Sequence, residues 1–184
     1  MIENREKEWQ ELEQKALQML NNPRLLPKDE INKHFNPTLH LWISPTFTPE
    51  KHWVFYQPQS QINPQPPPIV RQIIWKRDAD FQRLNNPLIG LKDGFHTEPT
   101  FETKIIEVEN EMFAKIHTQL SKIQFLPFIQ EEINGRDGEI FGIETLGVYH
   151  NAKITWWSSH PKEWQNLVGW FEKIKIFLEE KFDK

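Results

Sequence analysis

The chain has 184 residues, with 22 Lys and Arg against 26 Asp and Glu, a net charge of −4 and no cysteine. A length in this range fits one domain with its own core, and the missing cysteines exclude a disulfide framework, a thiolate zinc site and a cysteine nucleophile. The acidic balance argues against nucleic acid or anionic membrane as general partners, because both are attracted by a basic surface excess.

The start Met-Ile-Glu-Asn-Arg-Glu-Lys-Glu lacks the basic-then-apolar order of a signal peptide, and no apolar run approaches the ~18 residues of a membrane span, so the expected compartment is the cytoplasm. Trp9, Leu12, Ala16, Met19 and Leu20 recur at helical steps within Glu3–Leu20, ended by Asn21-Asn22-Pro23. Such an amphipathic helix is expected to cover a sheet. Lys28 to His34 adds a short helical turn. Leu39, Leu41 and Ile43 alternate with His40, Trp42 and Ser44, and in His52–Gln57 Trp53 and Phe55 stand opposite Val54 and Tyr56. These are two strands of a loose hairpin connected through Pro45 and Pro49. Gln57–Pro68 is too polar and proline-rich for a sheet interior and reads as an extended surface loop.

Ile69–Lys76 resumes strand periodicity, with Ile69, Ile73 and Trp75 on one face. Asp78 is placed to cap a short helix through Leu84, stopped by Asn85-Asn86-Pro87. Beyond a polar turn at Asp93-Gly94, Phe101, Thr103 and Ile105 alternate with Glu102, Lys104 and Ile106. Met112, Phe113, Ile116, Leu120 and Ile123 then form a second helical stripe.

The best-marked stretch is Gly138 to Lys184. Its outgoing strand reaches His150, turns at Asn151-Ala152 and returns through Trp156-Trp157. Alternation sends Ile154 and Trp156 to one face and Thr155 and Trp157 to the other, so both faces are expected to be covered, with one tryptophan in the core and its neighbour half-exposed. Pro161 suits the first position of a closing helix capped by Ser159 or His160, with Trp164, Leu167, Phe171, Ile174, Leu178 and Phe182 on its apolar stripe. The fold expected is α+β: an antiparallel or mixed sheet of about five or six strands packed by N-terminal, middle and C-terminal helices. One domain spans residues 1–184, with 57–68 as its proline-rich loop, although the first fifty-odd residues are also compatible with a loosely attached extension.

From Ile69 onward the chain resembles a family of conserved bacterial proteins. The residues concerned are Ile74-Trp75-Lys76-Arg77-Asp78-Ala79-Asp80, Asn86-Pro87-Leu88, Glu98-Pro99-Thr100, Asp137-Gly138, Trp156-Trp157 and His160-Pro161-Lys162-Glu163-Trp164. The resemblance implies a compact α+β unit; it implies no activity, cofactor or catalytic residue.

Asp93 followed by Glu102-Thr103-Lys104 has the residue types with which a nuclease holds Mg²⁺ and positions a water. Against this, Asp93-Gly94 reads as a turn, and Glu-x-Lys on one strand face is also an ordinary solvated pair. The seven histidines include no helical i, i+4 zinc pair. His34/His40 and His150/His160 would have to be converged by loops or strands, so no metal is assigned. Asp78-Ala79-Asp80 reads as structural. Neither a Gly-x-Ser-x-Gly elbow nor a phosphate-binding Gly-rich loop occurs. The aromatic residues are expected mainly in packing. Trp75 and Trp157 are the candidates for a binding groove, and His150 and His160 the polar contacts of a pocket between the closing helix and the sheet.

The function expected is that of a non-catalytic cytoplasmic binding or regulatory domain, monomer or homodimer, without a cofactor. It would meet a protein partner through a sheet face or edge beside the closing hairpin. An immunity-type antagonist of a basic toxin is one concrete form. The alternative is a metal-dependent nuclease or other hydrolase using Asp93, Glu102 and Lys104.

Overall fold

Residues 39–56 carry large apolar side chains in both phases of the strand alternation, so each face of any sheet they enter has to be covered. The computed structural model, which describes residues 2–22, 25, 31–46, 48–86, 98–127, 138–147 and 151–183, shows how. Helix α1 (Ile2–Asn21) is followed by a short α2 (Ile31–His34), β1 (Phe35–Pro45), β2 (Lys51–Pro58), β3 (Ile69–Trp75), α3 (Arg77–Asn85), β4 (Phe101–Glu107) and α4 (Asn110–Ser121). Strands β5 (Glu139–Leu146) and β6 (Asn151–Trp157) come next, then a 3-10 turn at Lys162–Trp164 and helix α5 (Gln165–Phe182). The six strands form one sheet in the order β4-β3-β2-β1-β5-β6, every neighbouring pair antiparallel. The fold is therefore α+β with an antiparallel sheet. No helix among the described residues is long and apolar enough to cross a membrane.

One face of the sheet presents Leu39, Leu41, Ile43, Trp53, Phe55, Phe141, Ile143 and Trp156 to Phe113 and Ile116 of α4 and to Leu167, Phe171, Ile174 and Leu178 of α5. Phe171 is the wedge: its ring meets Phe141 edge-on at 5.7 Å and Trp156 at 5.1 Å, the arrangement that aromatic quadrupoles favour. On the other face Val54, Tyr56, Ile69, Ile73 and Trp75 pack against Ala16, Met19 and Leu20 of α1, and Trp9 stacks on Trp75 at 5.9 Å. Helix α1 thus covers the sheet, as its stripe requires. Strand β1 lies between β2 and β5, so residues from 35 onward form the middle of the sheet and are no loose extension. The expected loop at 57–68 starts later: Gln57 and Pro58 close β2, and residues 59–68 lie outside strand and helix.

Four local expectations give way. Asn151 and Ala152 belong to β6, paired with Leu146 and Thr145; the Asn151 Oδ1 accepts from the Gly147 N–H at 2.9 Å and the Ala152 N–H bonds Thr145 Oγ1 at 3.1 Å, which holds both in the ladder. Strand β6 is an edge strand with Lys153 and Thr155 exposed, so its second face is largely open, while Trp156 is buried and Trp157 half-buried as expected. Pro161 does not open α5: it precedes the 3-10 turn with an extended backbone (φ −57, ψ 141). That turn is anchored separately, because the Trp164 Nε1–H donates to the Leu126 carbonyl at 2.8 Å. Asp78 is not the cap of α3; Lys76 holds that position without a side-chain bond. The structural carboxylate is Asp80, buried, accepting the Trp75 Nε1–H and the Thr100 N–H at 2.8 Å each and pairing with Arg83 at 3.0 Å.

Phe171 is fully buried, so Phe171→Ala leaves a cavity at the junction of α5 with β5 and β6. The expected cost is about 3–5 kcal/mol, read as a lower midpoint in urea unfolding. A loss below about 1 kcal/mol would show that the closing helix is not seated on this face.

Candidate functional site

The phase of β1 that sends Leu39, Leu41 and Ile43 toward α4 and α5 sends His40 and Trp42 the other way, toward α1. In the β1–β2 ladder Trp42 is opposite His52 and His40 opposite Val54, so the two histidines are diagonal neighbours on that face. His40 Nε2 and His52 Nδ1 are 2.8 Å apart, and both side chains are buried. At one end of the pair, His52 Nε2 faces Glu50 Oε2 at 3.4 Å, and Glu50 Oε1 accepts from the Ser44 hydroxyl at 2.8 Å. At the other end, His40 Nδ1 lies 3.7 Å from Glu144 Oε2 on β5 and has no hydrogen-bond partner among the described residues. A polar chain, Glu144–His40–His52–Glu50–Ser44, thus crosses three strands.

Trp42 roofs the chain. Its ring is stacked with His52 at 6.3 Å and lies 5.0 Å from His40. This needs Gly142, opposite Trp42 on β5, since a Cβ there would overlap the indole ring. The Lys153 ammonium sits 4.9 Å over the Trp42 ring and donates to Asn21 Oδ1 at 2.8 Å, which ties β6 to the end of α1.

Burial dominates the proton affinities of the histidines. It pulls His40 down to about 4 against a counteracting pull from Glu144, and it lowers His52 against the pull of Glu50. Both imidazoles are neutral at pH 7. Burial pushes the Glu50 carboxyl up, but the contacts from His52 and Ser44 outweigh it and hold Glu50 below its usual range.

The Ser44–Glu50 end opens into a cleft of about 240 Å³ between the β1–β2 connection, Glu13 and Leu17 of α1, and Trp75, Arg77 and Asp78. Arg77 is paired with Glu13 at 2.7 Å and lies within 6 Å of the Trp9 and Trp75 rings, at 5.8 and 5.9 Å. Its charge is met, and Glu50 and Asp78 leave the cleft acidic. Glu13 and Leu17 also border an open groove of about 580 Å³ along the outer side of α1, with Gln10, Gln14, Gln18, Asn21, Asn22 and Leu25.

Of the residues singled out in the sequence, Trp75 forms a wall of the cleft, buried and bonded to Asp80. Trp157 is half-buried on β6 and shielded beside Gly138, where a Cβ would strike its indole. Strands β2, β1 and β5 separate β3 from β6, so at about 4.8 Å per strand Trp75 and Trp157 are about 19 Å apart across the sheet and share no groove. His160 is half-buried beyond β6, and His150 lies outside the described residues. Glu102 and Lys104 stand on edge strand β4. The half-buried Glu102 is ion-paired with Lys76, which holds its carboxyl below the usual range, and the Lys104 ammonium donates to the Phe182 carbonyl at 3.3 Å. Asp93 lies outside the described residues. Among the described residues no group of three or more His, Asp and Glu side chains is placed to hold a metal ion. The sequence reading missed Glu50, His52 and Glu144. Alternation marked His40 and Trp42 as sharing a face, but only the hairpin register brings His52 beside them.

The chain makes folding stability depend on pH. An imidazole whose folded pKa lies below its unfolded value of about 6.5 stabilises the fold fully above that pH and loses the contribution as pH falls toward the folded value. For His40, with its folded value at about 4, the loss is on the order of 3 kcal/mol between about pH 6.5 and 4, and His52 acts in the same direction. Urea midpoints are expected to be level above pH 7 and to fall below 6.5, with a shallower fall in His40→Gln; a level profile down to pH 4.5 contradicts the neutral buried pair. No family model, curated protein or solved structure matches this chain.

Proposed function

We propose that this chain is a binding domain that receives a partner protein on the outer side of α1 and in the adjoining cleft. The observation that supports the reading is the composition of the groove. Among its eight described lining residues only Glu13 is charged, in a chain of which 26% is charged, and Glu13 is already paired with Arg77. Depletion of charge around exposed apolar side chains marks the centre of protein–protein interfaces. Leu17 and Leu25 supply the apolar part, exposed at 37% and 55%. The docking face therefore moves from the edge beside the closing hairpin, where β6 exposes Asn151, Ala152 and Lys153, to the helix on the opposite end of the chain. The acidic cleft and the net charge of −4 favour a partner carrying basic groups at the contact, as an immunity-type antagonist of a basic toxin would require. We place this activity in the cytoplasm, where a chain without cysteine needs no oxidising environment.

Leu17→Arg tests the reading, with Ile176→Arg on α5 as the control, because Ile176 is also exposed, at 53%. Immobilised wild-type chain and the control are expected to retain a protein from the native host that Leu17→Arg does not. With the purified partner, the Leu17 variant should bind at least about tenfold more weakly while its circular dichroism is unchanged. If every retained protein binds the Leu17 variant as well as the wild type, the α1 face is not the docking site.

A further inference from the structure

We propose that the Glu144–His40–His52–Glu50 chain is a single-proton switch that reports to the end of α1. The chain has three contacts: Glu144 to His40, His40 to His52, and His52 to Glu50. An ionised carboxylate only accepts, and a neutral imidazole carries one N–H, so two neutral rings bring two hydrogens to three contacts. One contact must stay open, and the distances identify it. The inter-ring contact is 2.8 Å and the Glu50 contact 3.4 Å, whereas His40 Nδ1, buried and without a partner among the described residues, stands 3.7 Å from Glu144.

That pattern fixes the tautomers consistent with the network. His52 carries its hydrogen on Nε2, directed at Glu50; His40 carries its hydrogen on Nε2 and donates to His52 Nδ1; the His40 Nδ1 lone pair then confronts a carboxylate. A third proton placed in this gap converts a repulsive contact into a charge-assisted N–H···O bond and makes the chain continuous from β5 to the cleft.

The groups around the gap decide how readily the proton enters. Glu144 on β5 and Glu50 ahead of β2 favour it; Lys153 on β6 opposes it at both histidines. Arg77 lies near Glu50, and Arg71 of β3 stands on the same face, paired with Val54. From α1, Glu13 borders the cleft with Glu50, and Asn21 is bonded to Lys153. Burial is the largest opposing influence on both rings, so uptake belongs to the acid range.

Glu144 also feels the charge of Lys153. Drawing Glu144 toward His40 alters the field at Lys153, and through its bond to Asn21 the end of α1, which borders the open groove. This inference concerns the isolated chain and does not depend on a partner docking there.

The test is an acid titration of the full-length chain with nitrogen-15 histidine and asparagine, followed by NMR while the core signals stay folded. At pH 8 both rings should show the Nε2–H tautomer. On acidification one proton should enter in a single step, with His40 becoming doubly protonated and the Asn21 side-chain amide moving with the same midpoint. In Glu144→Gln the amide donates to His40 Nδ1 and completes the chain without the extra proton, so the step should move down by about one pH unit or more and the Asn21 response should vanish. Lys153→Met, which removes the opposing charge, should move the histidine step up. The proposal is overturned if the two rings titrate independently near the free-imidazole value, if the midpoint is unchanged in Glu144→Gln and Lys153→Met, or if Asn21 is silent through the step.

Discussion

The central strand pair has no side that faces water, and the architecture follows from that. Leu41, Trp53, Val54, Phe55 and Tyr56 are all fully buried, so the β1–β2 ladder cannot form the half-solvated sheet common in antiparallel folds. It needs a layer on each side. Helices α4 and α5, from the second half of the chain, supply one and α1, from its start, the other, which packs the N-terminal helix against the sheet. Burying a large aromatic removes roughly 150–250 Å² from water, so these few residues carry much of the drive to close both layers.

The same constraint explains the polar chain. A strand buried on both faces has to bury whatever its second phase carries, and in β1 and β2 that phase includes His40, Trp42 and His52. A buried imidazole needs hydrogen-bond partners or the cost of losing water is not recovered. Here the two rings satisfy each other, and carboxylates at the ends of neighbouring strands complete the set apart from one contact. Gly142 makes the packing possible by leaving room for the Trp42 ring, a matter of space rather than of backbone conformation.

How much of this was legible follows from the range of each interaction. Periodicity is local, so it located α1, β1 to β4, α4 and the return strand with Trp156 inward. Cap and turn chemistry is local too, yet it failed at Asp78, Asn151 and Pro161. At each of these a tertiary bond decides the outcome: Asp80 holding Trp75 and Thr100, the strand bonds around Asn151, and Trp164 on Leu126. The site was less legible still. His40 and His52 become a pair only through the register of β1 on β2, and Glu144 joins only because β5, about a hundred residues later, lies on the other side of β1. Trp75, named with Trp157 as a groove candidate, lies in the wall of the cleft, four strand positions away from Trp157.

A buried ionisable chain is an expensive way to fill space, since apolar side chains of similar volume are often as stabilising or more so. The physical case for function therefore rests on where its ends come out. Glu50 and Ser44 emerge in the acidic cleft; Glu144 reaches Lys153 and, through it, Asn21. Glu13 and Leu17 border both the cleft and the groove in which Asn21 lies. In the proposed switch a change of one charge in the interior reaches both the cleft and the groove; its inner contacts are buried, whereas the Lys153–Asn21 bond is exposed and open to screening by salt. An apolar filling of the same volume would hold the strands together equally well and would leave that surface indifferent to the interior.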